Sequence, residues 1–265
     1  MRAEKNIYDK FGKLLIAKNQ EITDRIYTKL KSFYVSEEES KKNEPQKHIK
    51  NIDIKIDAKE LNEKLKLSDT KILDYPTNII NQILFESKAK PWWLLVNSIS
   101  NYIDWVYTHS INVSLISLML AIKMGYSSEA LYEVALGSLL HDVGKLLIPK
   151  SILQKNTKLN NQEMLMIKQH CDLGVSITNG LSLPDTCVTI IQQHHERNNG
   201  SGYPFGLKEE KIHHYAKIVM IADVVDAITS YRPYKPAKEL HEALELLKID
   251  NMFSNDLIVI LETLL

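Results

Sequence analysis

From about Lys71 onward, apolar residues recur at three- and four-residue spacing, the pattern of helices that bury one face. TNIINQILFESKAK opens the series. PWWLLVNSISNYIDWVYTHSINVSLISLMLAIKMG continues it, with Pro91 suited to a first turn and Gly125 to a helix end. EALYEVALGSLLHDVGK and NQEMLMIKQHCDLGVSITNG read as two further amphipathic helices, and others are predicted to start near Pro184, His214, Ala237 and Asn255. Together they predict a helical bundle over residues 70–265.

The beginning of the chain has a different texture. Leu14 to Lys18 reads as a short strand, followed by a turn and a helix with Thr23 as N-cap and Ile26, Leu30 and Phe33 at helical spacing. Residues 36–50, SEEESKKNEPQKHIK, are dense in charge and carry no apolar period, which marks a surface linker. The mixed segment IDIKIDAKEL follows. Residues 1–60 therefore predict either a small α+β regulatory or docking module with its charged linker, or an arm packed on the main domain. The fold class expected is mainly α, a helical bundle preceded by a small α+β module. A second copy or a signalling protein would meet the chain through that module.

Composition narrows the function. A chain of 265 residues is one large domain, or a small one plus a medium one. Its 33 basic residues balance 33 acidic ones, so no broad field attracts a DNA or RNA duplex or an anionic membrane; a phosphate ligand must be held by local groups. The most apolar stretch, INVSLISLMLAIKMGY, is interrupted by Asn112, Ser114, Ser117 and Lys123, which argues against a bilayer span. Met1 to Lys10 is polar and charged rather than leader-like, so the cytoplasm is the expected location. Cys171 and Cys187 follow no metal spacing and read as reduced packing residues. No Gly-rich phosphate loop of the G-x-x-x-x-G-K-S/T kind occurs.

The chemistry lies in histidines and acids placed among apolar neighbours: His109, His141-Asp142, His170, His194-His195 and Asp223, each group on a different predicted helix. Singly, His109, His170 or Asp223 reads as an ordinary hydrogen-bonded or ion-paired residue. The adjacent pair His194-His195 is a stronger signal, because two buried neutral imidazoles need two partners. Imidazole and carboxylate without thiolate suit Fe, Mn, Zn, Co or Ni. One carboxylate between two cations can bridge them, and such a pair supplies a nucleophile from water at neutral pH. Lys145 lies four residues after His141 and would share its face if that helix continues, where an ammonium can neutralise charge on a phosphoryl or leaving oxygen.

The ordered set HDVGK, QHCDLG, HHERNNGSGYP and IADVVDAITSYRPYKPA resembles the HD-GYP family, a branch of the HD superfamily of metal-dependent phosphohydrolases, over roughly residues 95–265. The resemblance implies a helical HD-GYP domain with two or three metal ions, commonly iron or manganese, that hydrolyses cyclic dinucleotides. Chief among these is cyclic di-GMP, cut to linear pGpG and often onward to GMP. It implies one metal on His109, His141, Asp142 and Asp223, a second on Asp142, His170, His194 and His195, and Lys145 as the catalytic lysine beside Asp142. NNGSGYP would shape the substrate pocket through Gly202, Tyr203 and Pro204, with Gly200 and Gly202 allowing positive φ or close backbone approach. Arg197 would meet a phosphate or tie the loop down. Arg232 and Lys235 would contact phosphate or guanine.

One position departs from the family pattern. Three-metal members carry a glutamate four residues before the first histidine ligand, and here that residue is Trp105; Asp104 is one residue off the required face. Two metals per chain, Fe or Mn, are expected. The function expected is a cyclic di-GMP phosphodiesterase. The alternatives are a catalytically weak sensor acting through a partner, which would not need all seven ligands and Lys145, or a hydrolase of a mixed GMP–AMP cyclic dinucleotide.

Overall fold

The structure is a computed structural model that describes residues 7–8, 14–16, 54–67, 69–230 and 237–265. The expected helix around Thr23, Ile26, Leu30 and Phe33, the linker over 36–50, and Arg232 and Lys235 lie outside the described residues. Of the expected first strand, Leu14–Ile16 (β2) is described, paired antiparallel with Ile7–Tyr8 (β1) so that Ile7 stands opposite Ile16.

The other regular elements among the described residues are helices. The order is α1 (Ile54–Leu65), α2 (Asp74–Ser87), α3 (Trp93–Tyr102), α4 (Asp104–Lys123), α5 (Ser128–Leu140), a 3-10 turn (Val143–Leu147) and α6 (Lys150–Leu153). It continues with α7 (Asn161–Lys168), α8 (His170–Thr178), α9 (Asp185–Gln193), α10 (His214–Thr229), α11 (Leu240–Leu247) and α12 (Asn255–Glu262). The predicted helical bundle is present, and Gly125, at φ +75°, closes α4 as a left-handed cap residue.

Helix α4 is the axis. It packs against α5, α10, α3, α1 and α2, and Ile111, Val113, Leu115, Ile116, Leu118 and Leu120 are all buried. A helix with neighbours on every side is apolar on every side. That composition and its 20 residues would also let it cross a membrane, but 78% of its most apolar window is buried inside the bundle. Two of the polar residues that interrupt it, Asn112 and Ser114, have partners on neighbouring helices. Ser138 of α5 donates to Ser114 at 3.0 Å, Ser114 donates to the Ala135 carbonyl at 3.0 Å, and Asn112 donates to Asp226 of α10 at 2.7 Å.

Two expected continuous helices are broken. Ile103, extended at φ −146° and ψ 124°, separates α3 from α4, while Tyr102 ends α3 by donating to the Ile148 carbonyl at 2.6 Å. The helix over 161–180 breaks at Gln169, so that His170 opens α8. Helix α1 straddles the expected boundary at residue 60: it buries Ala58, Leu61 and Leu65 and packs on α4 and α2.

Candidate metal centre

Six structural elements deliver the predicted ligands to one place. His109 comes from α4, His141 caps the end of α5, Asp142 begins the 3-10 turn, His170 opens α8, His194-His195 follow α9, and Asp223 lies in α10. All seven meet, in two groups whose ligand atoms lie within 4.8 Å of one another: His109, His141 and Asp223 in one, Asp142, His170, His194 and His195 in the other.

Asp142 faces both groups. Its Oδ2 is 3.4 Å from His141 Nε2 and 3.6 Å from His109 Nε2; its Oδ1 is 3.4 Å from His170 Nε2 and 3.9 Å from His194 Nε2. Asp223 likewise reaches His109 Nε2 at 3.1 Å with one oxygen and His195 Nδ1 at 3.5 Å with the other.

The far side of four rings is fixed. Nδ1 of His141 meets the Ser138 carbonyl at 2.6 Å, that of His170 the Ile167 carbonyl at 2.7 Å, and that of His194 the Ile191 carbonyl at 3.0 Å. His109 Nδ1 meets Asp226 Oδ2 at 2.6 Å. Carbonyls and carboxylates only accept, so each Nδ1 carries the hydrogen, and a neutral ring then presents a bare lone pair at Nε2. Those lone pairs converge: His170 Nε2 and His194 Nε2 stand 3.1 Å apart. His141 Nε2 and Asp142 Oδ1 are buried without a hydrogen-bond partner. Converging lone pairs around a buried acid cost free energy unless a cation lies among them. The residues fit divalent metal.

Burial agrees with neutral rings. It pushes His170 down to about 4 and holds His194 and His195 well below the ordinary histidine range, with the neighbouring imidazoles adding to the effect. Burial alone would raise Asp142 and Asp223. The Lys145 ammonium, with His141, outweighs it at Asp142, and the adjacent His109 and His195 rings outweigh it at Asp223, so both acids lie well below the usual carboxylate range.

Lys145 is near, by a different route from the one the sequence suggests. Helix α5 stops at Leu140, and the 3-10 turn carries Lys145 back so that its Nζ donates to Asp142 Oδ2 at 2.5 Å. The same ammonium lies 5.8 Å from the Trp105 ring centre. The turn fits because Gly144 has no side chain: a Cβ there would stand 1.9 Å from the His170 carbonyl and 2.6 Å from the Gly174 nitrogen. Backbone contact between the turn and α8 thus sets the distance from Asp142 to His170.

The glycine loop divides the two roles expected of its glycines. Gly200 takes positive φ (+80°), whereas Gly202 permits close approach, since a Cβ there would meet Arg197 N and Glu196 Cα at 2.4 Å. Tyr203 and Pro204 follow; the Tyr203 ring lies 4.7 Å from that of His195, and Lys168 sits 5.0 Å from the centre of the Tyr203 ring. Arg197 donates to the Glu196 carbonyl at 2.6 Å and its guanidinium lies 4.9 Å from the Phe253 ring centre, the arrangement of a residue that ties the loop down.

Sequence reasoning missed two acids. Buried Glu196 accepts from the amides of Phe205 and Leu207, both at 2.8 Å, and clasps the loop. Asp226 orients His109 and accepts from Asn112. The signal for Asp226 was present in IADVVDA: two acids three residues apart share one face of an apolar helix. Glu196 had only its place between the histidine pair and the loop.

Residues 94–252 match the family described as HD domain. A cyclic di-GMP phosphodiesterase of Pseudomonas aeruginosa is 36% identical over 122 residues, covering 46% of this chain and 30% of that protein. One of Thermotoga maritima is 37% identical over 132 residues, covering 49% and 36%. A 3'3'-cGAMP-specific phosphodiesterase of Vibrio cholerae is 34% identical over 131 residues, covering 49% and 30%. The matched region is thus about a third of these relatives' length. Among solved structures, an HDG"Y"P protein of Bdellovibrio bacteriovorus shares the fold with a TM-score of 0.54 at 20% identity, over 99% of this chain and 94% of that one.

Proposed function

The chain belongs to the HD domain family, in its HD-GYP branch, and on that premise we propose that it hydrolyses a cyclic dinucleotide, cyclic di-GMP foremost, to linear pGpG. The observation that carries this reading is Asp142, one buried carboxylate whose two oxygens face two separate sets of imidazoles. In the proposed assignment His109, His141, Asp142 and Asp223 hold one divalent ion, and Asp142, His170, His194 and His195 hold the other, Fe or Mn. Two such ions supply a nucleophile from water at neutral pH and offset charge on the phosphodiester.

The chain's own groups do the rest. His109, His141, His170 and His194 present Nε2 without adjustment because their Nδ1–H groups are already bonded. Lys145, held against Asp142, neutralises charge gathering on a phosphoryl oxygen or the departing ribose oxygen. Tyr203 and Pro204 border the substrate beside His195, while Gly202 and Arg197 set the loop. In the proposal Arg232 and Lys235 grip phosphate or guanine. Residues 70–265 form the catalytic unit, acting in the cytoplasm on a bacterial second messenger. Residues 1–60 serve regulation or docking, to a second copy or a signalling protein. Trp105 in place of a glutamate favours pGpG over GMP as the main product, since a third ion has no carboxylate there.

The relative named for 3'3'-cGAMP supports a second substrate, the mixed GMP–AMP cyclic dinucleotide. One experiment separates these. Protein purified without oxygen, with its metal quantified, is incubated with cyclic di-GMP, cyclic di-AMP and the mixed dinucleotide, and the products are resolved by chromatography. Cyclic di-GMP turned over fastest, to pGpG, is expected. Metal-loaded protein that binds a dinucleotide and leaves it intact would establish a sensor instead.

A further inference from the structure

Next to last in helix α1 stands Lys64, whose ammonium crosses 162 residues of sequence to Asp226. It donates to Asp226 Oδ1 at 2.5 Å and to Ser230 Oγ at 3.0 Å. Its side chain is 20% exposed while that of Asp226 is 1% exposed, so the pair lies where α1 packs on the bundle.

Asp226 is the acid that orients His109. Among the described residues four groups bond this carboxylate: His109 Nδ1 on Oδ2, and Asn112, Lys64 and Ser230 on Oδ1. Of these four, Lys64 is the ammonium. Without it, a buried anion is held by neutral groups alone and is free to turn away from His109 or to draw in water. Because the other three donors come from α4 and α10, Lys64 is also the member of this set that arrives with α1.

We infer that Lys64 is a positioning residue for the metal centre: by fixing Asp226 it sets the ring of His109, and it ties occupancy of the ion served by His109 to the docking of α1 on the bundle. This gives the segment preceding α1 a physical route to the centre, since any partner that lifts α1 removes the counter-charge from Asp226. The inference rests on the metal reading above.

Cobalt(II) is the probe, added to chelator-stripped protein and followed by its visible absorption and by equilibrium dialysis. Wild-type protein is expected to bind two equivalents. Lys64→Met keeps the apolar stem and removes the charge; it is expected to bind one equivalent about tenfold more weakly, the low end for groups that orient a metal ligand, and the other as wild type does. Lys64→Arg is expected to restore the lost affinity. Lys66→Met, which removes the exposed pair with Glu239 just beyond the same helix, is expected to leave both equivalents unchanged. Two wild-type equivalents with Lys64→Met indistinguishable from wild type would sink this inference alone. Equal weakening of both ions would overturn it as well, by showing general loosening, and so would a Lys64→Arg protein no better than Lys64→Met. Wild-type protein that binds no cobalt would sink the metal reading and this inference together.

Discussion

Asp142 illustrates what single residues contribute. Its oxygens are divided between two sets of imidazoles, so Asp142→Ala is expected to strip both ions and abolish hydrolysis while helical content stays near wild type. Metal analysis together with circular dichroism checks this, and a variant that keeps both ions refutes the bridging role. Burial also makes these residues responsive to pH in the metal-free protein. Folded His170 takes its proton near pH 4, while the unfolded chain takes it near the ordinary 6.5. Between those values the unfolded state binds more protons, so stability falls as pH drops, by about 1.4 kcal/mol per pH unit for this one group. His194 and His195 act in the same direction. Denaturant unfolding with chelator present, at about pH 7.5 and about pH 5, is expected to show the loss, and equal stability at the two would contradict neutral buried rings. The ligands were legible because unlike residues sat among apolar neighbours in long motifs. Glu196 was not, because its partners are backbone amides, which no sequence pattern displays.

Helices were legible as segments, and their interruptions were not. Neither Ile103 nor Gln169 is a proline or glycine, and α5 ends at Leu140, immediately before HDVGK, without a conventional stop. These interruptions shape the site: Lys145 meets Asp142 across the 3-10 turn into which α5 gives way. The glycines at such junctions matter through backbone contact. Gly144→Ala puts a methyl group into the His170 carbonyl, so the turn and α8 must separate; a cost of about 3 kcal/mol or more and loss of metal are expected. Gly202→Val presses on Glu196 and Arg197, immediately after His195. A loop that served the substrate alone would lose turnover and keep its ions. With this packing, metal content and turnover are expected to fall together, and metal analysis of the purified variant distinguishes the two cases.

Over the whole molecule, the candidate ligands run from His109 to Asp223 and belong to six elements, so the unfolded chain has no site to offer an ion. The candidate ligands stand out in the sequence, yet it could not show that α1 would close on α10 through Lys64 and Asp226, a pairing without any periodic signature. Ions that bind only the folded state stabilise it by mass action, about 2.7 kcal/mol at one hundred times the dissociation constant. For a domain of this size that raises Tm by roughly 5–10 °C. Trp105 stands one turn before His109 on α4, with the Lys145 ammonium 5.8 Å from its ring, so an indole and a cation occupy the region where a glutamate would supply oxygen ligands. Among the described residues, the groups able to hold metal are two. Titration of stripped protein with manganese, with bound ion counted by equilibrium dialysis, is therefore expected to level off at two equivalents, while Tm goes on rising slowly with free ion. Trp105→Glu adds a buried carboxylate: without a third ion it lowers stability, and with one it extends the titration to three. A wild-type titration that levels off only at three would show that some other side chain supplies the missing ligand and that Trp105 does not limit the count.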